Sequence, residues 1–167
     1  MNEQETYETA TAEGLFEWLS RINGIEGITL SGGEPFEQPA DALLDFCRMV
    51  KSDRRDLSII VFTGFLLEEL KSKEHYAEIL DFIDLLIDGP YMDELNDGKG
   101  LRGSSNQRLH FLSGRYEEMK NELMGKTHRR LEMLLGQDGR LEINGIPQKG
   151  FMKRFEDAMW KQKMSLE

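Results

Sequence analysis

Cysteine is nearly missing from this chain. Cys47 is the only one in 167 residues, which excludes an intramolecular disulfide, and one thiol cannot build a multi-cysteine zinc or iron–sulfur site. Positive charge is also in deficit. The net charge of −10 and pI near 4.9 argue against non-specific binding to nucleic acid or an anionic membrane, where a basic patch is needed. No apolar run approaches the roughly 20 residues that span a bilayer. The polar, acidic start Met1-Asn-Glu-Gln-Glu-Thr-Tyr7 is unlike a secretory signal, so the expected location is the cytoplasm. There is no Walker A loop, no repeat and no low-complexity segment. The three histidines, His75, His110 and His128, have no ligand-like spacing.

What remains suits one soluble α/β domain with its own core. Thr11 to Ile22 places Leu15, Phe16, Leu19 and Ile22 on one helical face. Asn23-Gly24 ends that helix, and Gly27 to Leu30 reads as a buried strand. Pro39 opens a second helix whose apolar face is Ala42, Leu43, Phe46, Cys47 and Val50, which makes Cys47 a core residue. Lys51 to Asp56 reads as a charged, solvated turn. Leu57 to Gly64 is the clearest strand, Leu66 to about Phe82 is helical with a break near Ser72-Lys73, and Asp84 to Pro90 contains a third strand.

Strands alternating with helices predict βαβ units and a parallel sheet. Right-handed crossovers then bring Ser31-Gly32-Gly33-Glu34, Thr63-Gly64 and Asp88-Gly89 to one sheet edge. Asp84, at the opposite end of its strand, reads as structural, and so does His110 between apolar neighbours. Gly114 to Met124 is a charged helical pattern. The tail carries a β-hairpin around Gly136-Gln-Asp-Gly139, then a helix expected to turn Phe151, Phe155, Ala158 and Met159 inward.

The stretch Ser31-Gly32-Gly33-Glu34-Pro35 carries the most chemistry. Adjacent glycines let backbone groups approach a ligand and adopt φ > 0, and Pro35 biases Glu34 toward an extended conformation. The result is a backbone ledge with one carboxylate acceptor beyond the carboxyl end of a strand, where ligands of α/β proteins sit. A ligand with an ammonium group suits it. The alternative is a strand-to-helix turn whose Glu is simply exposed. Gly103-Ser-Ser-Asn-Gln-Arg108 offers a similar choice between a polar turn and a set of ligand donors.

Four segments, Gly27-Ile-Thr-Leu-Ser-Gly-Gly-Glu-Pro-Phe-Glu-Gln38, Phe62-Thr-Gly64, Asp84-Leu-Leu-Ile-Asp-Gly-Pro90 and Leu101-Arg-Gly-Ser-Ser-Asn-Gln-Arg108, together resemble the radical S-adenosylmethionine (SAM) activating enzymes. The nearest group is the activases of anaerobic ribonucleoside-triphosphate reductase, with pyruvate formate-lyase activases as cousins. The resemblance covers roughly residues 12 to 112. It implies a partial (β/α) barrel with parallel strands, so that residues 1–125 form a shortened radical SAM core, lacking its first strand, with a hairpin and helix over 126–167 packed on it.

By the same resemblance Gly32, Gly33 and Glu34 hold the SAM ammonium, Thr63 and Asp88 lie at strand ends that contact SAM or a nearby cation, and Ser104 and Asn106 contact ligand or partner. It further implies a [4Fe–4S] cluster, reductive cleavage of SAM to a 5′-deoxyadenosyl radical, and hydrogen abstraction from a glycine of a glycyl-radical partner such as anaerobic ribonucleotide reductase. An electron donor such as flavodoxin or ferredoxin is implied as well. The family's Cys-x3-Cys-x2-Cys loop has no counterpart here. The expectation is a chain without that loop, inactive by the family's mode unless the loop lies upstream. The alternative is a cluster-less pseudoenzyme that binds SAM or a partner as a regulator.

Overall fold

The computed structural model describes residues 10–125, 131–137, 139–145, 147 and 150–164. Helix α1 spans Ala12–Ser20, and Thr11 caps it by accepting the Gly14 N–H at 3.1 Å. Strand β1 (Gly27–Leu30) runs parallel to β2 (Ser58–Phe62), with Gly27 opposite Ser58. Glycine is required at that point, since a Cβ on Gly27 would stand 1.9 Å from Ser58 Oγ. Between these strands lies α2 (Ala40–Asp53), which buries Leu44, Phe46, Cys47 and Val50. Leu44 takes the place expected for Ala42, which is exposed.

The helix following β2 is split in two, α3 (Leu67–Lys71) and α4 (Glu74–Leu80), at the Ser72-Lys73 break read from the sequence. Strand β3 (Leu85–Asp88) pairs parallel with β2 and is buried along its whole length, as a two-sided parallel strand must be. With β4 (Arg108–Phe111) the sheet order is β1-β2-β3-β4. Leu57, Ile59, Val61 and Leu86 join Phe36, Val50, Leu70 and Ile79 in one core cluster, while Leu85 and Ile87, on the alternate face, are equally buried.

One expectation is overturned in this part of the chain. Lys51 belongs to the last turns of α2 and not to a solvated turn. Its Nζ donates to Asp84 Oδ2 at 2.5 Å and to the Leu57 carbonyl at 3.0 Å.

The chain divides into two compact units, one of residues 1–88 with 110–116 and the other of 89–109 with 117–167. The second contains the short helix α5 (Lys120–Met124) and the antiparallel hairpin of β5 (Glu132–Leu135) and β6 (Leu141–Asn144), followed by α6 (Phe151–Met164). Gly139, at φ +82°, supplies the left-handed residue of the hairpin turn. Phe151 and Phe155 of α6 are half-buried and stack at 6.0 Å, but Ala158 and Met159 are exposed, contrary to the expected inner face. His128, Ile146 and the start Met1 to Tyr7 lie outside the described residues.

Candidate functional site

The turn after β1 is set by its sequence. Gly32 and Gly33 have φ of +79° and +44°, a region that costs other residues about 1–2 kcal/mol. A Cβ on either would meet no atom within 4 Å, so both backbones face open space. Pro35 then starts a single 3-10 turn over Pro35–Glu37, with Glu34 extended at its N-cap.

Glu34 is half-buried and already accepts three hydrogen bonds, which differs from both an unoccupied acceptor and a free surface carboxylate. Its Oε1 accepts from Thr63 Oγ1 at 2.7 Å and from the Phe36 N–H at 3.1 Å, and its Oε2 accepts from the Gly64 N–H at 2.7 Å. Thr63, buried at the end of β2, also accepts the Phe65 N–H at 3.1 Å. The carboxylate thus ties the β1 turn to the β2 turn. All three of these donors are neutral, and a carboxylate offers about four acceptor positions, so negative charge and one lone-pair direction remain beside the open glycines.

Asp88 closes β3 and is completely buried. Its Oδ2 accepts the Leu67 N–H at 2.8 Å, which ties β3 to the start of α3. His110 Nε2 approaches the same oxygen to 2.9 Å without the alignment of a hydrogen bond. The satisfied structural role expected of His110 is not met, since its buried Nε2 has no hydrogen-bond partner.

At the amino end of the sheet Asp84 is held differently. It accepts Lys51 Nζ at 2.5 Å, Ser113 Oγ at 2.6 Å and the Ile59 N–H at 2.8 Å. Burial raises its pKa, but the hydrogen bonds and the Lys51 charge outweigh burial and hold the carboxyl below the usual Asp range.

Ser104 and Asn106 belong to the second unit, in a polar turn built from side chains. Ser104 Oγ accepts the Met92 N–H at 3.1 Å and donates to Asn106 Oδ1 at 2.7 Å, while Asn106 Nδ2 donates to the Pro90 carbonyl at 2.7 Å. Gln107 is the residue that sequence reasoning did not single out. Its buried Oε1 accepts the Gly103 and Ser104 N–H groups at 2.8 and 3.2 Å, and its Nε2 donates to the Gly89 carbonyl at 2.8 Å. The only signal for it was its place inside the Gly103–Arg108 run.

The residues present do not fit an iron–sulfur cluster. Cys47, the chain's only thiol, is fully buried in the core on α2, and burial pushes its pKa up to about 12 against the opposing pull of Lys51. Thiolates bind iron, and this thiol stays protonated. Among the described residues no group of three or more His, Cys, Asp or Glu side chains could hold a metal ion. No helix of the described residues is long and apolar enough to cross a membrane.

Comparison with known proteins adds a family. Residues 1–110 match the 4Fe-4S single cluster domain. The anaerobic ribonucleoside-triphosphate reductase-activating protein of Haemophilus influenzae is 40% identical over 87 residues, 51% of this chain and 55% of the relative. The protein of the same name from Pasteurella multocida is 38% identical over 87 residues, with coverage of 51% and 55%. That of Enterobacteria phage T4 is 36% identical over 100 residues, or 59% and 61%. The chain spans about half the length of the curated relatives it matches. No solved structure matches it. With a match across most of its length and a parallel sheet ending in the Gly32–Glu34 turn, the chain belongs to the 4Fe-4S single cluster domain family.

Proposed function

We propose that this chain is part of an activating protein for anaerobic ribonucleoside-triphosphate reductase, and that its glycine turn holds the amino-acid end of S-adenosylmethionine. In this reading the parallel β1-β2-β3 sheet is a portion of a radical SAM partial barrel. The relatives' names support the activating role. The observation that carries the ligand is the Gly32–Glu34 turn. Two left-handed glycines leave backbone groups open to solvent next to a carboxylate whose three donors are neutral. A ligand ammonium is the complement of that arrangement, because it brings both the missing positive charge and the missing donor.

Thr63 acts by holding Glu34 in place. Asp88 holds α3 against β3, and Ser104 and Asn106 shape the turn that ties back to Pro90 and Met92. These three are proposed as positioning residues for ligand or partner.

Radical chemistry on SAM needs an electron delivered through a cluster, and Cys47 is unsuited to ligate one. The function we assign to these residues is therefore SAM binding within an activating protein, with glycyl-radical formation and an electron donor dependent on thiolates that these residues do not provide. The same buried cysteine favours a second reading, a cluster-less regulator that binds SAM or the reductase.

Thermal melts of the full chain with and without SAM test the ligand. Binding to the folded state alone adds about 2.7 kcal/mol at 100 times Kd, so the expected result is a melting temperature that climbs with SAM concentration. An unchanged melt at millimolar SAM would count against the ligand. Iron content after anaerobic treatment with iron and sulfide tests the exclusion of a cluster from this chain, which both readings share. We expect none bound to this chain, and stoichiometric iron would overturn the assignment of Cys47 to the core.

A further inference from the structure

We propose that Tyr76, on α4 and outside every sequence motif of the site, is a positioning residue for the Glu34 carboxylate. It thereby sets how well the glycine turn receives a ligand ammonium, a role that rests on the SAM reading for its ligand.

The grip on Glu34 comes from two turns. One is the Pro35–Glu37 turn, whose Phe36 N–H donates to Oε1, and the other follows β2, where the Gly64 N–H donates to Oε2. The first is weak by itself. A single 3-10 turn has poorly aligned hydrogen bonds, and its own two run from the Glu37 and Gln38 N–H groups to the Glu34 and Pro35 carbonyls at 3.0 and 3.3 Å. The Phe36 carbonyl takes part in neither.

Tyr76 supplies that carbonyl with a partner from 40 residues away. Its hydroxyl donates to the Phe36 carbonyl at 2.7 Å, and its ring meets the fully buried Phe36 ring edge-on at 5.3 Å. Phe36 is thus fixed at its carbonyl and its side chain, and its N–H is the one that Glu34 accepts. The same ring reaches the second turn. Lys73 Nζ lies 5.1 Å from the centre of the Tyr76 ring and 5.7 Å from that of Phe65, within the range of cation–π attraction. Phe65 directly follows Gly64. Both turns that hold the carboxylate therefore lean on the start of α4. Without the hydroxyl, a partly buried carbonyl loses its partner and Glu34 spends less time in the orientation that receives an ammonium. Affinity falls in proportion to that fraction.

Tyr76→Phe removes only the hydroxyl and keeps both ring contacts. Ile79→Val is the control, since it trims a fully buried core side chain of the same helix and leaves the hydroxyl in place. In the full chain, amide exchange is followed by NMR without ligand, and SAM affinity by calorimetry. The expected result for Tyr76→Phe is exchange about tenfold faster at Phe36 and Gly64, with β2 unchanged, and a SAM Kd about tenfold higher. Ile79→Val should match the wild type in both. The proposal is overturned if Tyr76→Phe leaves exchange at Phe36 and Gly64 unchanged, if Ile79→Val accelerates it equally, or if SAM affinity survives the loss of the hydroxyl. A wild type that binds no SAM, with the exchange pattern as expected, would overturn the SAM reading while supporting the coupling of Tyr76 to Glu34.

Discussion

The two ends of the parallel sheet hold their carboxylates in opposite ways. At the amino end Asp84 meets a lysine, a hydroxyl and a backbone N–H, and the Lys51 ammonium neutralises it at 2.5 Å. At the carboxyl end Glu34 meets only neutral donors, next to glycines with open space in front of them. A buried carboxylate with its own cation is complete and serves the fold. A carboxylate that is fixed in place but not neutralised keeps its charge for something that arrives from outside. That difference, more than the Gly-Gly-Glu motif alone, is why we propose the ligand site at the carboxyl end.

Breaking the amino end should have the largest effect. Asp84→Ala removes one partner of a buried ion pair and leaves Lys51 uncompensated, at a cost of about 3–5 kcal/mol in urea denaturation. A loss comparable to that of a surface ion pair would remove the contrast between the two ends. The same group sets a pH dependence. Its folded pKa lies below the ordinary value of 3.8, so its contribution is full above that value and disappears as the pH falls through the folded pKa. Acid denaturation of the wild type should therefore steepen below about pH 4, and Asp84→Asn should flatten that slope.

At the other end Glu34→Gln keeps the size but removes the charge and sets an amide NH2 against a donor. We expect a loss of about 1–3 kcal/mol, from an unsatisfied polar contact, and no stabilisation by SAM. If SAM still raised the melting temperature of this variant as in the wild type, the ammonium would not be read by Glu34. Gly33→Ala forces a Cβ at φ +44° into space that is otherwise open, so backbone strain alone should cost about 1–2 kcal/mol in the same denaturation. The smallest effect is expected at Cys47. Thiol reagents at pH 8 should leave it unmodified in the folded chain and label it in denaturant, because burial holds its pKa at about 12. Rapid labelling of the native protein would show the thiol to be available after all.

Strands β1, β2 and β3 were readable because each is a short apolar run soon followed by glycine, and the break between α3 and α4 was readable in Ser72-Lys73, whereas β4 was not read as a strand. Proximity in sequence also made the extended Glu34 legible, since Pro35 dictates it locally. Its partners were not legible, because Thr63 and Gly64 lie 29 and 30 residues away. Lys51 looked like a solvated charge for the same reason. Its partner Asp84 is 33 residues distant, and only folding brings the end of α2 beneath β3. Gln107 went unnoticed because burial, and not residue type, makes it the centre of its turn. The inward face expected for α6 failed at Ala158 and Met159, where helical periodicity identifies an apolar stripe but not whether anything covers it.

The most direct measurement is calorimetric titration of the iron-free chain with SAM and, separately, with 5′-methylthioadenosine, which keeps the nucleoside and sulfur but lacks the amino-acid arm. If Gly32, Gly33 and Glu34 read the ligand's ammonium end, SAM binds and the shortened compound does not. Equal binding of the two, or binding of neither, would contradict the account.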